Sequence, residues 1–214
     1  MNHFKSAMER VIDGLEKKTR ILHPEERRRM AFHVAGHAVA GWLLRFANPL
    51  LKVSIIPRGK GPCYSLYQPE EKFLYTKDAV LDTMCMALGG RASELIFYGN
   101  LSTGAQDDLE KATESAYAQV TKYGMTDRVG HVSFRNGQNY MSDITRNIVD
   151  DEARRIINDA MERTMNILQN NKDLVEKLAL ELLEKETLEK DTMVEMLGPG
   201  PWGIKRNFDD LTES

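Results

Sequence analysis

The stretch "AFHVAGHAVAGW", residues 31–42, decides how this chain is built. Ala35, Ala38, Val39, Trp42 and the following Leu43 fall on every side of an α-helix. A helix that is apolar all round is a buried one. Gly36 and Gly41 each lower helicity by about 1 kcal/mol relative to alanine, so packing must offset that cost. Ala35, Gly36, Ala38, Ala40 and Gly41 are also small, which lets neighbouring backbones come close. Upstream, Pro24 suits a first helical turn, with Glu25 and Glu26 near the positive end. The reading is a central helix opening near Pro24. It carries His33 and His37 on one face, four residues apart.

Outward from this helix, most segments also read as helical. Phe4, Ala7, Met8, Val11, Ile12 and Leu15 keep helical spacing and place a helix over about 4–18. Thr76 caps a helix to about Leu88. Gly89-Gly90 breaks it, and a short helix follows from Arg91 to Tyr98, closed by Gly99. Thr103 with Gln106 fits a capping box for a helix ending near Gly124, with Ala105, Leu109, Ala112, Ala116, Val120 and Tyr123 inward. Further helices are expected over about 143–170, 173–183 and 190–197. The one clear β signal is "LKVSIIP" (residues 51–57), a turn at "RGKGP" and a return strand in "CYSLYQP". Asn136-Gly137 marks a turn in an irregular stretch, and residues 203–214 read as a frayed tail. The fold class is therefore mainly α, with one small β-hairpin or sheet that needs helices to pack on.

With 214 residues, the chain is long enough for one domain with a real core. Its 42% apolar and 29% charged residues describe a globular protein rather than a disordered one. A formal net charge of −3 gives no reason to expect nucleic acid, and Arg27-Arg28-Arg29 reads as a solvated helix face. "MNHFKSAMER" has no apolar signal region, and no apolar run near the helix is long enough to span a bilayer. Cys63 and Cys85 form neither a metal pair nor a disulfide framework, and read as buried thiols in a reducing compartment.

Histidines at i and i+4 can reach a single ion, and zinc peptidase helices use that spacing in His-Glu-x-x-His. Here the position after the first histidine is Val34. Two histidines alone bind zinc poorly, and a buried structural pair is the commoner outcome of this spacing. A third ligand has to come from elsewhere. Asp108 is a candidate from the next helical start, where Asp107 and Asp108 could equally be charges placed at a helix N-terminus.

Taken together, "HVAGHAVAGW", "LLKVSIIPRGKG", "LGGRASE" and "STGAQDDLEKATESAYAQVTKYGM" resemble the peptidase domain of the FtsH family. These are membrane-anchored, ATP-dependent zinc metalloproteases. The resemblance is nearest to the mitochondrial m-AAA branch related to paraplegin. "IDGLEKK" and "LELLEKETLEKDTMVEMLGP" fit as well, so it covers nearly the whole chain in order. It implies that residues 1–20 form a helix at the ATPase junction, 21–198 the zinc metallopeptidase domain and 199–214 a flexible tail. It implies zinc ligands at His33, His37 and Asp108, and a general-base position at Val34. Glu94 is placed near the site, as a contact to a ligand histidine or as a plain surface carboxylate. Cys63 and Tyr64 fall where the family's substrate-strand edge lies.

The resemblance further implies protein substrates, and a homo- or hetero-hexamer with other protease subunits. It places the domain at the mitochondrial inner membrane, facing the matrix and reaching the membrane only through segments outside this chain. ATP would act only through an ATPase domain, and no G-x-x-x-x-G-K-[ST] loop occurs in the sequence. Valine has no proton-accepting group, whereas a positioned acid–base residue contributes about 10²–10⁴ in rate. In a helix it costs only about a few tenths of a kcal/mol. The expectation is a folded, zinc-competent and proteolytically silent domain. Leu95 in place of a second glutamate, and Gly61-Pro62-Cys63 in place of alanine-leucine-glycine, are further departures. Against the alternative of a valine engineered into a working enzyme, they tilt the reading toward a natural inactive paralogue, a non-catalytic subunit that serves as a scaffold in the ring.

Overall fold

The computed structural model describes residues 23–57, 64–68, 73–134 and 141–202. The expected helix over 4–18, the turns at "RGKGP" and Asn136-Gly137, Cys63 and the tail over 203–214 lie outside these residues. Helix α1 spans Pro24–Leu43, with Pro24 at its start and Glu25 and Glu26 in its first turn. From Met30 to Gly41 every residue but His37 is buried. The all-round apolar pattern has put this helix through the centre of the molecule.

Strand β1 is Leu50–Ser54 and β2 is Tyr64–Tyr67. Helix α2 runs from Lys77 to Tyr98, capped by the Thr76 side chain accepting from the Ala79 N–H, and closed at Gly99 with φ 65°. The expected break at Gly89-Gly90 does not occur. A Cβ on Gly36 would lie 2.3 Å from the Gly89 carbonyl oxygen, and one on Gly89 would lie 2.7 Å from that of Gly36. The glycines are thus the contact between α1 and α2, and this packing overrides their low helicity. Next to them, Ser93 Oγ donates to the Phe32 carbonyl at 2.6 Å.

A 3₁₀ turn over Thr103–Ala105 leads into helix α3, Gln106–Thr121. The cap here is Ser102, whose side chain accepts from the Gly104 N–H, and Gln106 instead donates to Glu110. The capping box expected at Thr103 does not form; a single side-chain cap by Ser102 stands in its place. Ala105, Ala112, Ala116 and Val120 are buried as expected, while Tyr123, past the helix end, is exposed. Helix α4 spans Asp143–Asn170 and α5 spans Lys172–Lys185. Cys85 is buried against α4, its Sγ 3.5 Å from the Ala160 carbonyl oxygen.

After α5, Glu186 takes a left-handed turn (φ 62°) into β3, Thr187–Glu189, and helix α6 follows over Lys190–Leu197. The sheet is antiparallel with order β2-β1-β3, so it has one strand beyond the expected hairpin. Val53 faces Ser65 on one side and Leu188 on the other. Ser54 Oγ and Arg27 Nη2 both bond at Glu186, at 3.1 and 2.7 Å, fixing the turn to β1 and α1. At the far end of α1, Trp42 Nε1 donates to the Gly198 carbonyl at 3.1 Å, and Trp202 Nε1 to the Leu43 carbonyl at 3.0 Å.

Intrinsic propensity and packing predict opposite signs for Gly36→Ala. Helicity alone would stabilise by about 1 kcal/mol, whereas overpacking costs about 1–3 kcal/mol or more. With the Gly89 carbonyl 2.3 Å from the new methyl group, the variant should lose stability in urea denaturation. A higher urea midpoint would show that the helices can part at no cost.

Candidate metal centre

Three helices each bring one part of a polar cluster into this core. Helix α1 presents His33 and His37 one turn apart, their Nε2 atoms 3.0 Å from each other. The first turn of α3 presents Asp108, whose Oδ2 lies 3.4 Å from His33 Nε2 and 3.2 Å from His37 Nε2. Asp107, on the same turn, is not part of the cluster. Helix α2 supplies the groups behind the rings. Glu94 Oε1 lies 2.9 Å from His33 Nδ1, and the Met86 carbonyl oxygen 2.9 Å from His37 Nδ1.

A carbonyl only accepts, so His37 Nδ1 carries the hydrogen and its Nε2 keeps a lone pair. The ionised Glu94 asks the same tautomer of His33. Both rings are thus held with Nε2 turned to one point, which Asp108 also faces; the proton that His33 Nε2 holds toward Asp108 is the one a cation would displace. Glu94 is itself fixed, since the Ser102 N–H and Oγ–H donate to it at 2.9 and 2.8 Å and Arg29 lies 3.5 Å away. The surface-carboxylate alternative does not apply, because Glu94 is only 2% exposed. Gly90 makes the room, for a Cβ there would lie 2.4 Å from His33 Nε2 and 2.5 Å from His37 Nε2.

Charge is trapped in the cluster. Burial alone pulls the His33 imidazole down, but hydrogen bonds to Asp108 and Glu94 outweigh it and push it up to about 9. Burial would raise Glu94, yet the hydrogen bonds from His33 and Ser102 bring it down to about 2. Asp108, against the same effect of burial, is held well below the usual carboxylate range by hydrogen bonds from His33 and His37. Two permanently ionised carboxylates beside two imidazoles make an environment suited to a cation.

The donor set fits zinc. In a tetrahedral site with bonds of about 2.0–2.1 Å, ligand atoms stand about 3.3 Å apart, and the three separations here are 3.0, 3.4 and 3.2 Å. Two imidazoles and one carboxylate also match the three-ligand pattern that leaves a position open. Val34 lies between the histidines in sequence, one turn before His37, and is 1% exposed. Tyr64 opens β2, an edge strand of the sheet, and pairs with Ser54.

The side-chain pattern did not single out Gly90, Met86 or Ser102. Two glycines inside a helical pattern are the one signal available, since they mark a close approach as readily as a break. The Met86 contact is made by backbone and leaves no mark in the residue type.

Residues 20–196 match the model of Peptidase family M41. The chain is 55% identical to the mitochondrial inner membrane m-AAA protease component AFG3L2 of Mus musculus, over 99% of this chain and 27% of that protein. It is 50% identical to the ATP-dependent zinc metalloprotease FtsH of Rhodothermus marinus, over 95% of this chain and 31% of that protein. It is 45% identical to the mitochondrial ATP-dependent zinc metalloprotease FTSH 10 of Arabidopsis thaliana, over 98% of this chain and 27% of that protein. The chain thus spans under a third of the length of these relatives.

Replacing Glu94 by glutamine removes the charge behind His33 while keeping its shape. Partners behind a ligand histidine are worth about 10–100-fold in metal affinity. A chelator-competition titration of Glu94→Gln should show a loss of that size, and an unchanged zinc affinity would remove Glu94 from the site.

Proposed function

Because this chain belongs to peptidase family M41, we propose that it is a zinc-binding peptidase domain that holds its metal but does not cleave. The observation that carries this reading is the intact cluster of His33, His37 and Asp108 with a buried valine, Val34, at the expected base position. Zinc bound there would polarise a scissile carbonyl and acidify a water. His33 and His37 would hold it through Nε2, and Asp108 through Oδ2. The proton of that water needs an acceptor poised to pass it on. Val34 offers none. Glu94 is committed to His33, Ser102 and Arg29, and Asp108 to the two imidazoles. Neither carboxylate is free to take over.

In the full-length protein, the domain would work on protein substrates as part of an ATP-driven, membrane-anchored protease. Two relatives are named as components of the mitochondrial inner membrane m-AAA protease, which supports that location; a matrix-facing placement of this domain is part of the same proposal. Among the described residues no helix is long and apolar enough to cross a membrane. On this proposal, anchoring, ATP hydrolysis and substrate choice would fall to other parts of such a protein. A second reading is a natural non-catalytic subunit, a scaffold in a hexameric protease ring beside active partners. It is favoured by the fully enclosed Val34, which keeps the helix and the ligand cluster in place without the base.

Purified chain should carry close to one zinc per molecule and leave casein intact. Val34→Glu should raise casein hydrolysis by about 10²–10⁴. Zinc without rescue would favour the scaffold, and a failure to take up zinc even after supplementation would end the metal reading.

A further inference from the structure

Among the described residues, three buried hydroxyls lack a hydrogen-bond partner, those of Tyr67, Tyr98 and Thr126. A buried polar atom left unpaired is costly, and native proteins rarely keep one without a reason. Tyr98 lies under Arg29, whose guanidinium stands 4.6 Å from the ring centre, and Thr126 sits in the turn after α3. Tyr67 is placed differently. A Cβ on Gly41 would meet Met86 Sδ at 3.3 Å and Tyr67 Cε1 at 3.6 Å. Gly41 continues the stripe of α1 that carries His33 and His37, one turn further on. Met86 is the residue whose carbonyl holds His37 Nδ1. The Tyr67 ring therefore lies against the same face of α1 as the two histidines.

The phenol is also kept protonated. Burial pushes it upward, Ser65 on the same strand face eases this in part, and the negative charge of Asp108 pushes it up further. Ser65 nevertheless does not take up the hydroxyl as a hydrogen-bond partner. What remains is a buried O–H donor without a protein partner, in the field of a candidate ligand carboxylate.

We propose that the Tyr67 hydroxyl is the hydrogen-bond donor for an oxygen-anion ligand, of the carboxylate or hydroxamate class, that enters the site beside His33, His37 and Asp108. The inference rests on the zinc reading above and deepens it. With a donor at Tyr67 and no proton acceptor at Val34, the site binds acids, such as the carboxylate at a peptide C-terminus, rather than turning over amides. Tyr67 is then a ligand-binding residue contributed by the sheet to a cluster otherwise built by helices.

The test compares the zinc-loaded chain with its Tyr67→Phe variant by calorimetric titration. Acetohydroxamate serves as the oxygen-anion probe, and imidazole as a neutral ligand with no anionic oxygen. Zinc content should be equal in the two proteins, because Tyr67 holds no metal. Acetohydroxamate should bind the variant about tenfold more weakly or worse, the size of a lost hydrogen bond to a charged group. Imidazole should bind both alike. Equal acetohydroxamate affinity would overturn the inference and leave the zinc reading standing, as would a parallel loss of both probes. A wild-type chain that takes up no zinc would overturn both. Should Tyr67→Phe fail to fold, Tyr67→Met, which also lacks the hydroxyl, carries the same comparison.

Discussion

The backbone contact between Gly36 of α1 and Gly89 of α2 is the constraint on which the rest of this structure depends. Side chains of any size would hold the two helices apart. Every group of the candidate centre except Asp108 and Ser102 comes from these two helices. His33 and His37 flank Gly36 on α1, while Met86, Gly90 and Glu94 surround Gly89 on α2. The 2.9 Å bonds behind the two imidazoles can form only at this close approach. Packing, ring orientation and the direction in which the two Nε2 atoms face are thus consequences of one steric fact.

The third helix is joined to this pair through Glu94. Its carboxylate takes hydrogen from His33 on one side and from Ser102 on the other. Ser102 in turn caps the 3₁₀ turn that leads into Asp108. One buried acid therefore sets both a histidine and the start of the helix that carries the facing carboxylate. A residue at position 34 has no part in this network, which explains physically why valine can stand there while the cluster keeps its shape.

Much of the fold can be read from local pattern. The uniform apolar surface of residues 31–43 makes α1 central, and the limits of α4 and α6 agree with their periodicity. Misreadings arise where long-range contact outweighs local preference. Gly89-Gly90 looks like a break because propensity concerns a helix in isolation, while here another helix fills the space. Strand β3 is three residues long and exists only because β1 offers it an edge. For the site, spacing alone reveals the histidine pair but leaves its purpose open. Asp108 is more than 70 residues away in sequence from His33, and Glu94 looks like any acid on a helix. Resemblance to a family marks both, and only the fold shows the distances. Nothing in the residue types hints at the Met86 carbonyl or the enclosed Tyr67 hydroxyl.

The indole bonds at the end of α1 have an optical consequence. Trp42 and Trp202 are the only two tryptophans in the chain. Each spends its N–H on a carbonyl at the junction of α1 with the segment after α6. Ultraviolet emission from this molecule therefore originates almost wholly at one clasp, one end removed from the histidines. A change in its colour or intensity reports the opening of that clasp before it reports anything about the remaining helices. The same helix that carries the candidate ligands has a built-in lamp at its far end.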